Sequence, residues 1–150
     1  MNVGALCTRG KVCVPRSATL VEVATRMRDG HVGAVIVTSG TGPDLRVVGI
    51  ITDRDIVRAQ LAHTADLSRL SAGDTMTERP LVLDERESIE GAIAQLRARV
   101  VRRAPVVTAD EKPIGLISID DLLAQLTTTL IDVVGILGWQ ARSEPRESAG

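Results

Sequence analysis

Two short segments hold the polar groups best placed to do chemistry. Thr52-Asp53-Arg54-Asp55 and Ser118-Ile119-Asp120-Asp121 each set a hydroxyl three residues before a carboxylate. At a helix start this spacing makes a capping box, with the acid facing its own helix terminus. The same groups can also serve a ligand. A carboxylate is an acceptor-only pair of oxygens that can take two adjacent hydroxyl donors. The N–H groups and positive potential of a helix N-terminus suit an anion. Both uses are open on sequence alone. Arg54 adds a charged fork beside Asp55, whereas the second segment has Asp120 at that place. No nucleophile–base pair, nucleophile elbow, phosphate-binding glycine loop or metal-ligand set accompanies them, so recognition rather than catalysis is expected.

Other candidates are weaker. Cys7 and Cys13 lack metal-site spacing and read as small core residues of a protein in a reducing cytosol. His31 and His63 are isolated. Arg97, Arg99, Arg102 and Arg103 form a basic cluster that suits either a solvated helix end or phosphate contacts. The chain of 150 residues balances 18 Lys+Arg against 19 Asp+Glu, which argues against binding duplex nucleic acid or an anionic membrane. One Trp and no Phe or Tyr exclude an aromatic platform for single strands and a quaternary-ammonium cage. The first residues show no secretory pattern. The apolar stretch Leu130 to Trp139 is interrupted by Asp132, Gly135 and Gly138, and no run approaching a membrane span is read. A cytoplasmic protein without membrane or nucleic-acid partners is expected.

The elements that must position these groups come from an internal repeat. Shifted by 69 positions, Cys7 and Thr8 fall on Met76 and Thr77, Val12 and Val14 on Leu81 and Leu83, and Leu20, Val23, Ala24 and Met27 on Ile89, Ala92, Ile93 and Leu96. After three extra loop residues near Gly40–Arg46 the shift becomes 66, and Gly49, Ile51, Thr52 and Asp55 meet Gly115, Ile117, Ser118 and Asp121. Each repeat reads as strand, helix, strand, strand, helix. Leu20, Val23, Ala24 and Met27 make one helical stripe, capped by Thr19 with Glu22 and stopped at Gly30. Ser88 caps the equivalent helix, with Gly91 where the box would want Glu. Val35–Val37, Val47–Ile51, Ala104–Val107 and Ile114–Ile117 are strands, with Pro105 expected at a strand start or edge. The last helix begins at Ser118 and runs past Leu130, with Trp139 as a packing or dimer residue. One repeat of about 60 residues buries too little apolar surface to stand alone, so the two are expected to press their sheets together. The boundaries are 5–62 for repeat one, 63–74 for a connector, 75–135 for repeat two and 140–150 for a mobile tail.

These residues resemble the tandem CBS-domain pair, named after cystathionine β-synthase. The likeness rests on Val48-Gly49-Ile50-Ile51-Thr52-Asp53-Arg54-Asp55-Ile56 and Ile114-Gly115-Leu116-Ile117-Ser118-Ile119-Asp120-Asp121-Leu122. Asp74-Thr75-Met76-Thr77, Val101-Arg102-Arg103-Ala104-Pro105-Val106-Val107 and His31-Val32-Gly33-Ala34-Val35-Ile36-Val37 support it. The resemblance implies an α/β (α+β) fold of two β-α-β-β-α repeats packed through their sheets with pseudo-twofold symmetry. It also implies two clefts for adenosyl ligands (AMP, ADP, ATP or adenosylmethionine, acting as regulators rather than catalytic cofactors) and a homodimer. Under it Asp55 and Asp121 take the ribose diol, and Thr52, Ser118 and Arg54 serve phosphate. Thr8, Val12, Val14, Val32, Gly33 and Ala34 form the first adenine site, and Thr77, Leu81, Leu83, Val101, Arg102 and Arg103 its counterpart. The resulting expectation is a non-catalytic sensor that passes its signal to an unidentified target protein, with the Asp55 cleft the tighter of the two. The alternative is a structural homodimerisation module without a physiological ligand.

Overall fold

The computed structural model describes residues 1–10, 12–63 and 66–143. Each repeat opens with a short helix and a two-residue strand that the sequence periodicity did not reveal: α1 (Val3–Leu6) and β1 (Thr8–Arg9) in the first. The first repeat continues with β2 (Cys13–Pro15), α2 (Leu20–Gly30), β3 (Ala34–Ser39), β4 (Arg46–Thr52) and α3 (Asp53–His63). The second contains α4 (Ala72–Thr75), β5 (Thr77–Glu78), β6 (Leu83–Asp84), α5 (Ile89–Arg99), β7 (Arg103–Val107), β8 (Pro113–Ser118) and α6 (Ile119–Ser143).

The repeats exchange their first strands. One sheet runs β2-β3-β4-β5 and the other β1-β8-β7-β6. Thr8 pairs with Leu116, and Thr77 with Ile50. The short helices cross with them, so Val3 and Cys7 join the core of repeat two, and Ala72 and Met76 join that of repeat one. Gly49 and Gly115 permit the exchange. A Cβ on Gly49 would stand 2.8 Å from Met76 Cγ, and one on Gly115 would stand 2.6 Å from the Thr8 carbonyl oxygen. Real side-chain carbons do not approach that closely.

Strand periodicity divides the core into three layers. Val35 and Val37 of β3 face the helices, packing with Leu20, Val23 and Met27 of α2. Leu83, Ala104, Val106 and Ile117 pack likewise with Ile89, Ala92 and Leu96 of α5 and Leu122 of α6. Between them Val12, Ala34 and Ile36 of repeat one meet Leu116 of repeat two. Each fully buried aliphatic of this kind contributes about 1.5–3 kcal/mol. The expected closure of two sheets on each other is thereby met.

Local chemistry follows the sequence with four departures. The α2 capping box forms as read, with the Glu22 backbone N–H donating to Thr19 and the Glu22 carboxylate accepting from the Thr19 N–H. The left-handed stop, however, falls on His31 (φ 51°) rather than Gly30, and on Val100 (φ 53°) in repeat two. Pro105 lies inside β7, paired with Leu116, instead of at an edge. Its counterpart Ile36 donates its N–H to the carbonyl of Val12, the residue before β2. Proline lacks that donor, and the shorter partner β6 begins only at Leu83, which pairs with Val106. Residues 140–143 of the expected tail continue α6, and 144–150 lie outside the described residues.

The fourth departure concerns α6. Ile119–Trp139 is long and apolar enough, by length and composition, to cross a membrane, with a mean hydropathy of 1.5. The sequence reading took the apolar stretch to begin at Leu130 and to be interrupted by Asp132, Gly135 and Gly138, and left Thr127, Thr128 and Thr129 outside it. In the helix their hydroxyls donate to the carbonyls of Leu123, Ala124 and Gln125, which hides much of that polarity.

Candidate functional site

The two strand-to-helix turns are built alike. The Thr52 N–H donates to Asp55 Oδ2 at 2.8 Å, and the Asp55 N–H to Thr52 Oγ1 at 3.3 Å. The Ser118 N–H donates to Asp121 Oδ2 at 2.8 Å, and the Asp121 N–H to Ser118 Oγ at 3.3 Å. Ser118 Oγ also donates to Asp121 Oδ2 at 2.6 Å. Both acids therefore cap their helices. Each turn is further tied to the loop entering the neighbouring strand: the Asp53 N–H donates to the Gly33 carbonyl, and the Ile119 N–H to that of Arg102.

Above the first turn lies a cleft of about 430 Å³ lined by Ile50, Thr52, Asp53, Arg54, Asp55, Arg58, Thr77, Val101, Arg102 and Arg103. Thr77 reaches it on the exchanged strand, beside Ile50. Arg103 enters from repeat two and donates from Nη1 to the Gly33 carbonyl at 2.9 Å. Asp55 is half-buried in the cleft wall. Its Oδ2 is held by the Thr52 amide, and among the described residues no donor meets Oδ1. Asp55 and Asp53 thus share one cavity of ligand size with four arginines, of which Arg102 also stands 3.9 Å from Asp120 of the second turn.

Sequence reasoning placed Thr77, Val101, Arg102 and Arg103 with Asp121. The structure brings them to Asp55, because each cleft draws its walls from both repeats. Arg58 was missed, although its position one turn beyond Arg54 puts the two on one helix face. Ile50 was also missed. Its signal is the strand period, two residues before Thr52.

The remaining candidates divide. Val14 and Leu83 are buried in the helix-facing cores, with 3% and 1% of their surface exposed, and Leu81 packs against the second of these. None of these three lines the described cleft. Val12 and Ala34 are buried between the sheets, with Val32 packed against them. Gly33 borders the Asp55 cleft instead, where a Cβ would come within 3.3 Å of Arg103 Nη1 and Asp53 Oδ2. Thr8 is exposed on β1, opposite Leu116. Ser118 and Asp121 stand at the second turn. Arg97 and Arg99 end α5, outside the cleft lining.

Cys7 and Cys13 are free thiols, the first buried and the second half-buried, and burial pushes both pKa values up. Among the described residues no group of three or more His, Cys, Asp or Glu is placed to hold a metal ion.

A family profile for the CBS domain matches residues 3–62 and 72–128, in register with the two repeats. The chain belongs to the CBS-domain family. Hypoxic response protein 1 of Mycobacterium tuberculosis is 31% identical over 117 residues, covering 78% of this chain and 79% of that protein. Its crystal structure, with two coordinated zinc ions, superposes with a TM-score of 0.70 at 27% identity, covering 83% of this chain and 98% of the other. The CBS pair of protein MJ0100, in complex with 5′-methylthioadenosine and S-adenosylmethionine, shares the fold at 17% identity and a TM-score of 0.73, covering 86% and 98% of the two chains. CBSX2 in complex with AMP shares it at 24% identity and 0.68, covering 85% and 97%. The chain spans only 61% and 66% of the length of two further relatives, uncharacterized proteins of Methanopyrus kandleri and Bacillus subtilis that it matches at 26% and 36% identity, over 82% and 67% of its own length.

Within this CBS pair the pseudo-twofold axis relates unlike side chains. The positions equivalent to Arg54, Arg58, Arg102 and Arg103 are Asp120, Ala124, Gly33 and Ala34. The frame of the two turns is shared, and these four arginines have no basic counterpart at the equivalent positions, although Arg102 also stands 3.9 Å from Asp120 of the second turn.

Proposed function

We propose that the cleft at Asp55 binds an adenine nucleotide and that the protein is a non-catalytic regulatory CBS pair. The observation that carries this reading is the meeting of Arg54, Arg58, Arg102 and Arg103 with half-buried Asp55 in one cavity formed by both repeats. Asp55 accepts from the ribose hydroxyls. The α3 N-terminus and the arginines take the phosphates, and Ile50 and Val101 offer the aliphatic surface for adenine. Complexes of the related fold with AMP and with adenosyl thioethers support the ligand class. Excess positive charge favours phosphorylated members over adenosylmethionine, whose sulfonium is itself cationic. A ligand spanning the cleft contacts both repeats. It therefore stabilises the relative orientation that it fits better, which is how its level would reach a homodimer contact or a target protein.

A thermal-shift series with AMP, ADP, ATP, NAD and adenosylmethionine tests the reading. Stabilisation by the phosphorylated compounds, absent with adenosylmethionine, is expected. No shift with any of them contradicts it and favours a structural dimerisation module.

A further inference from the structure

We infer that Asp120 is a positioning residue for the Asp55 cleft: it holds Arg102 at the start of α6, and a bound phosphate draws Arg102 away from it. This rests on the nucleotide reading and names a regulation of that site. Two adjacent arginines at the entrance to β7 reach in different directions. Arg103 donates from Nη1 to the Gly33 carbonyl at 2.9 Å, and the same carbonyl accepts the N–H of Asp53, the first residue of α3. Arg102 turns to the other helix. Its Nη2 stands 3.9 Å from Asp120 Oδ1, and its carbonyl accepts the N–H of Ile119, the first residue of α6. Both arginines also line the Asp55 cleft. One dipeptide therefore ties the starts of α3 and α6 to the cavity between the repeats. The pseudo-twofold axis does not repeat this tie, because Gly33 and Ala34 occupy the equivalent positions and Arg54 stands where Asp120 does.

The Arg102–Asp120 contact is suited to exchange. Its side chains are 78% and 73% exposed, and 3.9 Å is an ion pair without a direct hydrogen bond. Exposed pairs of this kind are weak. A phosphate offers the guanidinium two oxygens at hydrogen-bonding distance and more charge than one loose carboxylate contact. The competition has a definite sign. Asp120 stabilises Arg102 away from the ligand, so it lowers affinity for phosphate, and removing its charge raises that affinity. Ligand binding in turn leaves Asp120 without Arg102 in the first turn of α6, beside the capping acid Asp121. α6 is the helix that leaves the module, with every residue from Leu126 to Trp139 exposed. By linkage, any cation or partner that neutralises Asp120 also tightens nucleotide binding.

Isothermal titration with ATP at low ionic strength tests this on the native chain, Asp120→Asn, Arg102→Gln and the double variant. Asp120→Asn is expected to bind ATP about two- to fivefold more tightly than the native chain, the range open to an exposed ion pair. Asp120→Glu, which keeps the charge, is expected to return the affinity to near native. In the Arg102→Gln background, Asp120→Asn is expected to change nothing, since the group it releases is gone. Unchanged or reduced affinity in Asp120→Asn overturns the inference, and so does an equal gain with and without Arg102, which would mean that the acid acts on the ligand through its field alone. A native chain that does not bind ATP overturns the nucleotide reading and this inference together, whereas ATP binding without coupling between the two positions removes the inference alone.

Discussion

The two strand-to-helix turns of this protein share a frame and differ in charge. Around Asp55 stand Arg54, Arg58, Arg102 and Arg103, while the equivalents around Asp121 are Asp120, Ala124, Gly33 and Ala34. Capping geometry, the close-approach glycines and the loop-to-turn hydrogen bonds recur in both. The frame is therefore what the fold requires, and the arginines are what the fold does not explain. A residue pair such as Asp55 and Asp121 thus provides its own control. Removing either acid weakens a helix cap, and only one removal should weaken ligand binding.

The shared frame should respond most strongly. Gly49→Ala and Gly115→Ala each force a methyl group against the exchanged segment, at Met76 or at the Thr8 backbone. Each is expected to lower stability by about 1–3 kcal/mol in chemical denaturation. The Gly115 variant should suffer more, because backbone yields less than a methionine side chain. Equal, negligible effects would show that the exchange is looser than described.

The second test concerns charge. Arg103→Ala removes a hydrogen bond to Gly33 and one positive group from the Asp55 cleft. ATP affinity is expected to fall about tenfold, the equivalent of about 1.4 kcal/mol, with a shallower dependence on salt. Asp120→Arg, which gives the second turn the arginine of the first, should create weak, salt-sensitive phosphate binding there. Unchanged affinity in the first variant would deny the arginines their role.

Much of this was legible in the sequence. The 69- and 66-residue shifts exposed the repeat, and the hydroxyl–acid spacing gave both helix caps. Strand exchange was not legible, because β1 and β5 are two residues long and carry no periodicity. That omission put Thr77 with Asp121, while Val101, Arg102 and Arg103 reach the Asp55 cleft from the entrance to β7 across the two packed sheets. Repeat alignment pairs equivalent residues, but only the topology tells which repeat supplies each wall. The helix stop was misread for a similar reason: Gly30 has the type that favours a left-handed turn, yet the α2 register puts His31 there.

The strained stops offer a smaller contrast. Val100 holds φ 53° while 89% exposed, and a β-branched residue resists that conformation more than His31 does. Val100→Gly is expected to raise the melting free energy by about 1 kcal/mol, and His31→Gly by less. The thiols should respond least. Burial raises both pKa values, so less thiolate forms at mildly alkaline pH, and alkylation of Cys7 and Cys13 should lag behind that of the unfolded chain.

Isothermal titration of the full chain with ATP reads the asymmetry most directly. One nucleotide per chain is expected, bound 10–100-fold more weakly by Asp55→Ala, the loss of a charged hydrogen bond worth about 1.5–3 kcal/mol, and with nearly native affinity by Asp121→Ala. Two equivalent sites per chain, or binding that survives Asp55→Ala and fails with Asp121→Ala, would contradict the assignment of the ligand to the arginine-lined side.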